Sequence, residues 1–492
     1  MKPASPRSKN DAPAGNSRRA LLHLVAFCAF CLLFAAIRVP FATALTLDDA
    51  VERYLAQQWS LSYGVGNPPL HTWLFSALEA VLGPGLLTSQ LLDTALLVVT
   101  FGAMLSTGRA AGLSFRASAA GAWSLLLVPP VTLSLSVYTD TTLLLCLTAL
   151  TLRAAVAVNE SPNARSFTGL GVMCAVGTLT NYNFLVVPAS IALTALTLPR
   201  WRASWGRATF VYALLPSVLV WPVVTGFMDQ VEPQLARLVE HRLALQSLGL
   251  EATAAGLWEL LKALVVYAGP LALALALARP SRQVLRNVPA SVIFLGHISA
   301  AALLLVVAGI LVSGISDFPP RYLHVALLPL PLLAAAWAAA GRPRPPVAYV
   351  GALLAGGALV LADAAWEVSD ACPGACEERI PYPALVQSLG PLSPGTTLLT
   401  DDPLTAGNLA ARLPATRVVN VEAQWRPDRP QDIFACFAIV DPAVRPDVAP
   451  EELFTARDPA TLSTAKVEAP FPGPEGRYEW RISRTQNPSI CP

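Results

Sequence analysis

Charge is what this sequence has least of. Asp, Glu, Lys and Arg make up 13% of its 492 residues, against about 25% in an ordinary soluble domain. With a mean hydropathy of +0.52 and apolar runs along most of the chain, that shortage excludes a water-soluble globular fold. No stretch is dense in Lys or Arg, so the basic surface that nucleic-acid binding needs is missing. No internal repeat is evident, and polar residues avoid the middles of the apolar runs; both features count against a transporter built from inverted repeats. No His follows His324, which disfavours a zinc site at the C-terminal cysteines.

What the sequence has instead is a series of apolar segments, at about 20–38, 84–106, 117–136, 140–158, 167–180, 183–199, 208–228, 257–278, 289–313, 322–340 and 346–364. Each reads as a helix, because a lone apolar segment in lipid must satisfy its own backbone hydrogen bonds. The basic stretch 1–19 reads as a disordered tail. With the run behind it the tail resembles a signal peptide, and Ala42-Thr43-Ala44 resembles a cleavage site. The apolar run is nevertheless long for a signal core and long enough to span, so a retained helix is expected.

Loop charges give the direction. With the N-terminus in the cytoplasm, that side receives Lys2, Arg7, Lys9, Arg18 and Arg19, then Arg109 with Arg116, Arg153 with Arg165, Arg200 with Arg202 and Arg207, Arg279 with Arg282 and Arg286, and Arg342 with Arg344. The opposite loops before the tail hold Arg38, Arg53, Arg237, Arg242, Lys262 and Arg321. Basic short loops stay inside. The expectation is an all-α polytopic membrane domain of about 11 transmembrane helices over 20–364, with outer loops 39–83 and 229–256. A small soluble α/β domain follows at 365–492, outside a bacterial inner membrane. The tail shows strand-like pieces at Thr397–Thr400, Arg417–Val421 and Phe434–Val440, and a helix-like piece at Leu404–Arg412.

Cysteines follow the same sidedness. Cys28, Cys31, Cys146 and Cys174 lie in apolar segments; Cys372, Cys376, Cys436 and Cys491 are in the tail. Four cysteines in an oxidising compartment predict disulfides. Cys372–Cys376 with Cys436–Cys491 is favoured among three possible pairings.

The candidate chemistry gathers on the outer face. Asp48 and Asp49 follow Thr46, a plausible N-cap, and open a helical stretch predicted to lie along the membrane surface with Leu55 and Trp59 on its apolar side. They are either capping charges or a carboxylate serving an acceptor hydroxyl as general base. The segment Tyr63 to Leu74 carries Tyr63, two glycines, Asn67, Pro68-Pro69 and His71. Its bland reading is a turn with aromatic anchors. Asp140 either caps the next helix or orients a substrate or metal. Asn181-Tyr182-Asn183 interrupts two apolar segments as a hairpin turn or a site. His241 and Arg242 sit in the long outer loop. Arg321 with Tyr322 either anchors a helix at the interface or binds a lipid phosphate.

Taken in order, these pieces resemble one family. Leu47-Asp48-Asp49-Ala50 followed by Asn67-Pro68-Pro69-Leu70 and Trp73-Leu74 is similar to the GT-C glycosyltransferases, in the group of protein O-mannosyltransferases and the lipid A aminoarabinose transferase. Gln57, Leu61-Ser62-Tyr63-Gly64 and Asn181-Tyr182-Asn183-Phe184 resemble the rhizobial lipopolysaccharide galacturonosyltransferases. Arg321-Tyr322-Leu323, Pro329 and Pro331 resemble the family's late Arg-containing span. The resemblance covers about residues 20–340. It implies transfer of a sugar from a polyprenyl-phosphate donor to an envelope lipid, glycan or protein hydroxyl, within membrane lipids. It maps the catalytic carboxylate to Asp48, a second acid to Asp49, an acidic position of the second outer loop to Asp140 and the carrier phosphate to Arg321, with His241 and Arg242 as helpers. Tyr63, Asn67, His71, Asn181, Tyr182 and Tyr322 join them as candidate substrate-binding residues, although phosphate or metal roles do not transfer to Asn67. It implies no certain cofactor, with a divalent metal possible. Two departures stand out. Gly66 and Asn67 replace an acidic-basic pair, and Asn181 stands where the subgroup commonly has Lys. The competing classes are a lipid or glycan flippase and a non-catalytic envelope-assembly scaffold; the scaffold would tolerate loss of Asp48.

Overall fold

The computed structural model describes residues 13–63, 68–135, 139–199, 202, 207–223, 225, 250–278, 288–339, 346–369, 377–423, 425–428, 435–454, 462–471 and 477–487. Six helices among them are long and apolar enough to cross a membrane: Ser17–Arg38, Leu86–Ala110, Asp140–Glu160, Glu251–Ala278, Ala290–Ser313 and Val347–Glu367. Two more units pass only as bent pairs, Phe115–Leu127 with Pro129–Leu135 at 81° and Pro320–Leu327 with Leu330–Ala338 at 63°. Both bends fall at proline. Val128 is extended, with φ −111° and ψ 96°, the conformation favoured ahead of a proline such as Pro129; Pro329 stands at the second bend. The chain is a multi-pass membrane protein.

The described residues therefore give six to eight spans where about eleven are expected. The segments at 167–180 and 183–199 form helices Ala164–Thr178 of 15 residues and Val186–Thr197 of 12, short of the ~20 residues a bilayer requires. The segment at 208–228 holds the 8-residue helix Arg207–Leu214 and a tight turn over Leu215–Val220, and the rest lies partly outside the described residues. Most of the 229–256 loop, with His241 and Arg242, also lies outside them. Inside the spans, three buried threonine hydroxyls are satisfied locally. Thr100, Thr107 and Thr151 each donate to the carbonyl four residues earlier, at 2.6–2.8 Å, so threonine costs little in an apolar helix.

The C-terminal domain is an α/β sheet of five strands: β1 Thr396–Thr400, β2 Arg417–Asn420, β3 Ala435–Val440, β4 Leu462–Pro470 and β5 Arg477–Thr485. Their order is β2-β1-β3-β5-β4. β2, β1 and β3 are parallel, and β5 returns antiparallel to both β3 and β4. The parallel strands are buried on both faces, as parallel sheets require. Leu398, Val418, Ile439 and Trp480 pack with the helices on one side. Leu399, Val419, Val440 and Phe454 form the core on the other. Edge strand β4 is mostly exposed, and its Lys466 pairs with Glu468 and Glu479, a charged edge that discourages further strand pairing. Cys436, buried on β3, is disulfide-bonded; Cys372, Cys376 and Cys491 lie outside the described residues. Cys28, Cys31, Cys146 and Cys174 are free thiols.

The helix Leu47–Leu55 finds a protein partner: it packs across the Pro403–Arg412 helix of the sheet domain. Ala50 and Tyr54 join that domain's core. The crossing is close because position 407 is glycine: a Cβ there would collide with the Ala50 backbone. Polar contacts lock the seam. The Asn408 amide exchanges two bonds with the Leu45 backbone, at 2.8 and 3.2 Å. Gln57 does the same with Val418, at 3.0 and 3.2 Å, and so extends the sheet edge with a side chain. Arg53 bridges Glu79 and the Ala410 carbonyl, each at 3.0 Å.

Candidate active site

The Leu47–Leu55 helix begins at Thr46, yet the Thr46 hydroxyl caps no backbone N–H. It donates to Asp49 Oδ2 at 2.9 Å. The orphan Leu47 N–H is taken by Glu377 Oε2 at 2.6 Å, so the sheet domain's first turn closes the helix that carries the acidic pair. A carboxylate at a helix start is also favoured by the helix dipole.

Successive helical residues point about 100° apart, and the pair divides accordingly. Asp49 turns inward and is fully buried. Its oxygens accept from Thr46 and from Ser89. Burial raises its pKa, opposed by the Arg38 charge and by those two hydrogen bonds. Asp48 turns outward, with its side chain 27% exposed and Oδ2 3.8 Å from Arg321 Nη1. Burial, followed by the negative charge of Asp140, lifts the Asp48 pKa to about 7; Arg321 pulls against them.

Asp140 opens the Thr139–Glu160 helix. Its Oδ2 accepts from Asn181 Nδ2 at 3.4 Å and its Oδ1 from the Thr141 hydroxyl at 3.2 Å. Asn181 itself caps the Tyr182–Leu185 turn through the Asn183 N–H at 3.0 Å. Arg321 lies in the Pro320–Leu323 turn, its guanidinium 5.9 Å from the Tyr322 ring centroid. Asp48, Asp140, Asn181 and Arg321, spread across 274 positions of the sequence (321 − 48 + 1), thus meet at one place.

The other candidates are placed differently. Tyr63 is buried; its hydroxyl donates to the Gln58 carbonyl at 3.2 Å and its ring meets Trp425 of the sheet domain at 5.3 Å. His71 is buried, with Nδ1 3.2 Å from Glu52 Oε2. Burial lowers the His71 pKa, but Glu52, then Asp93 and Asp140, hold it up at about 9. Tyr182 is exposed. Asn67, His241 and Arg242 lie outside the described residues. Among the described residues no three His, Cys, Asp or Glu side chains converge as a metal site would need.

Several charged groups escaped sequence reasoning. Arg38 is fully buried and pairs with Glu378 at 2.7 Å, tying the first span to the sheet domain. Asp93 is buried within the Leu86–Ala110 helix. An acid inside an apolar span is itself a signal, and Asp93 was legible on that ground.

No protein-family model matches the chain. A stretch of 193 residues, 39% of the chain, is 26% identical to the lipopolysaccharide core galacturonosyltransferase RgtA of Rhizobium johnstonii. The match spans 38% of that relative's length. The structure of ArnT from Cupriavidus metallidurans bound to undecaprenyl phosphate superposes with a TM-score of 0.61 at 14% identity, over 98% of this chain and 100% of that one. The mycobacterial arabinofuranosyltransferase AftD superposes at 0.52 with 18% identity, over 96% of this chain and 40% of that one. The fold is that of the GT-C glycosyltransferases.

Proposed function

We propose that this GT-C chain is a membrane glycosyltransferase. It moves a sugar from a polyprenyl-phosphate donor to a hydroxyl of an envelope lipid, glycan or protein, on the extracytoplasmic side of a bacterial inner membrane. The observation that carries this reading is Asp48: a mostly buried carboxylate with a pKa of about 7, beside a guanidinium. The match to RgtA and the superposition on ArnT with undecaprenyl phosphate support the donor class. The basic loops opposite the site support a cytoplasmic N-terminus and an outer tail. The organisation 1–19, 20–364 and 365–492 belongs to the same proposal.

In this mechanism Asp48 takes the proton of the acceptor hydroxyl as its oxygen attacks the anomeric carbon. The bond from that carbon to the phosphate oxygen breaks, and the electron pair leaves with the polyprenyl phosphate. A base with a pKa near the working pH is best placed for this transfer. Arg321 neutralises the phosphate by charge-assisted hydrogen bonds. The guanidinium stands 3.8 Å from Asp48, which sets the phosphate it binds next to the base. Asp140, tethered by Asn181, adds negative charge next to Asp48 and orients the sugar or acceptor. Asp49 holds the helix in place from inside.

The test uses the purified chain in nanodiscs, supplied with undecaprenyl-phosphate-linked sugars, galacturonic acid among them, and lipopolysaccharide core. Transfer by wild type that falls by a factor of about 10² or more in Asp48→Asn supports the reading. Equal transfer by both proteins removes Asp48 from the chemistry. No transfer from any donor, with lipid movement across the bilayer, favours the flippase.

A further inference from the structure

The Ser17–Arg38, Phe115–Trp123 and Val347–Glu367 helices enclose a groove of about 660 Å³ far from Asp48. It runs from Phe115 to Leu126 on one wall and from Val350 to Leu361 on another. Eleven residues of helix make it about 16 Å long, half of a ~30 Å hydrocarbon core. The groove therefore occupies one leaflet. Its floor is made of small residues, Ala119, Ala120, Gly357 and Ala358. Gly356 lets that helix come close to the Leu126 carbonyl.

Of the two polar lining residues, Arg116 is the second residue of its helix and His23 packs on the neighbouring Phe115, ring centroids 5.6 Å apart, so they share one end of the groove. Trp123 Nε1–H donates to His23 Nδ1 at 3.0 Å. That bond leaves the proton of a neutral imidazole on Nε2, where it is a donor. Arg116 is exposed, as is Arg19, one helical turn before His23. No acidic residue lines the groove. His23 precedes Arg38 by 15 residues, so this end lies about 22 Å along the helix from the Asp48 side.

We propose that this groove is a binding site for an anionic glycerophospholipid of the leaflet on the N-terminal side. One acyl chain lies along the small-residue floor. The phosphate meets Arg116, and His23 Nε2–H donates to an ester carbonyl. The one-leaflet length and the cationic rim select this occupant. A polyprenyl carrier is much longer than the groove, and its phosphate belongs at the opposite face.

The experiment is native mass spectrometry of the full chain in detergent, titrated with phosphatidylglycerol, phosphatidylcholine of the same chains, or undecaprenyl phosphate. Wild type is expected to retain phosphatidylglycerol about fivefold more than phosphatidylcholine, the factor one arginine contributes near an anionic headgroup. Arg116→Gln should remove the preference while leaving binding of both lipids. Ala358→Phe, at an exposed floor position, should fill the groove and abolish retention of both. Thermal unfolding of both variants reports that they are folded; neither residue is near Asp48, so sugar transfer is a second check. Retention unchanged in Ala358→Phe overturns the site. An unchanged preference in Arg116→Gln overturns the headgroup assignment, and undecaprenyl phosphate displacing phosphatidylglycerol overturns the lipid class.

Discussion

The sharpest prediction concerns the pH profile of sugar transfer, because two neighbours of Asp48 act on it with opposite sign. With a pKa of about 7, Asp48 is about one-tenth ionised at pH 6 and about nine-tenths at pH 8. kcat/KM, which reports the free enzyme, should rise about tenfold over that interval. Arg321 favours the ionised form and Asp140 disfavours it. Two unit charges 3.8 Å apart interact by about 1 to 4 kcal/mol as the effective dielectric falls from about 80 to about 20. More than a quarter of each side chain is exposed, so solvent screening places the effect near the lower figure, about one pH unit. Arg321→Gln should move the rise about one unit up, and Asp140→Asn should move it down. Both variants will also lower the maximal rate; position on the pH axis is the readout. The assay is initial-rate transfer from an undecaprenyl-phosphate sugar between pH 5 and 9, in buffers of constant ionic strength. A flat wild-type profile, or shifts of the same sign in both variants, refutes Asp48 as the titrating base.

Arg38→Met leaves Glu378 buried without its cation and should cost about 3–5 kcal/mol, seen as a lower unfolding temperature in detergent; adding Glu378→Gln should restore part of it. Gly407→Leu drives a side chain into the Ala50 backbone and should cost about 1–3 kcal/mol, with limited proteolysis reporting a loosened sheet domain. Asp49→Asn should lower stability, because its oxygens hold Thr46 and Ser89, and should move the pH rise down by less than Asp140→Asn does, because the Asp49 charge raises the Asp48 pKa less than the Asp140 charge. Denatured without reductant, the protein should incorporate label at Cys28, Cys31, Cys146 and Cys174 but not at Cys436; label at Cys436 refutes its disulfide.

Much of this was legible because apolar length and turn chemistry are local signals. The spans starting near residues 20, 84, 140, 257, 289 and 346 appear as long helices, and the strands and helix read in the tail coincide with β1, β2, β3 and Pro403–Arg412 within about a residue. Span number was not legible around Pro129 and Pro329, where bends turn one apolar run into two helices. The amphipathic Leu47–Leu55 helix shows why the seam was missed. Periodicity identifies an apolar face but not its partner, and a membrane surface and a protein helix satisfy it equally. The site was half legible. Asp48, Asp140 and Arg321 stood out as charges beside apolar segments. The division of labour between Asp48 and Asp49 depends on which side of the helix faces Ser89, a contact across 40 positions that no local pattern reports.

The seam between residues near 50 and residues near 408 also sets a schedule for the newborn protein. Leu45 and Asn408 are 363 positions apart, and the seam contacts of the Leu47–Leu55 helix come from the last quarter of the chain. Ribosomes add about 5–20 residues per second, so the acidic helix waits about 20–70 s for that support. Until the sheet domain emerges and folds, the helix that carries Asp48 lacks the seam that holds it beside Arg321 and Asp140. A truncation that removes β3 to β5 should therefore yield an inserted protein with a loosened Leu47–Leu55 helix and weakened sugar transfer.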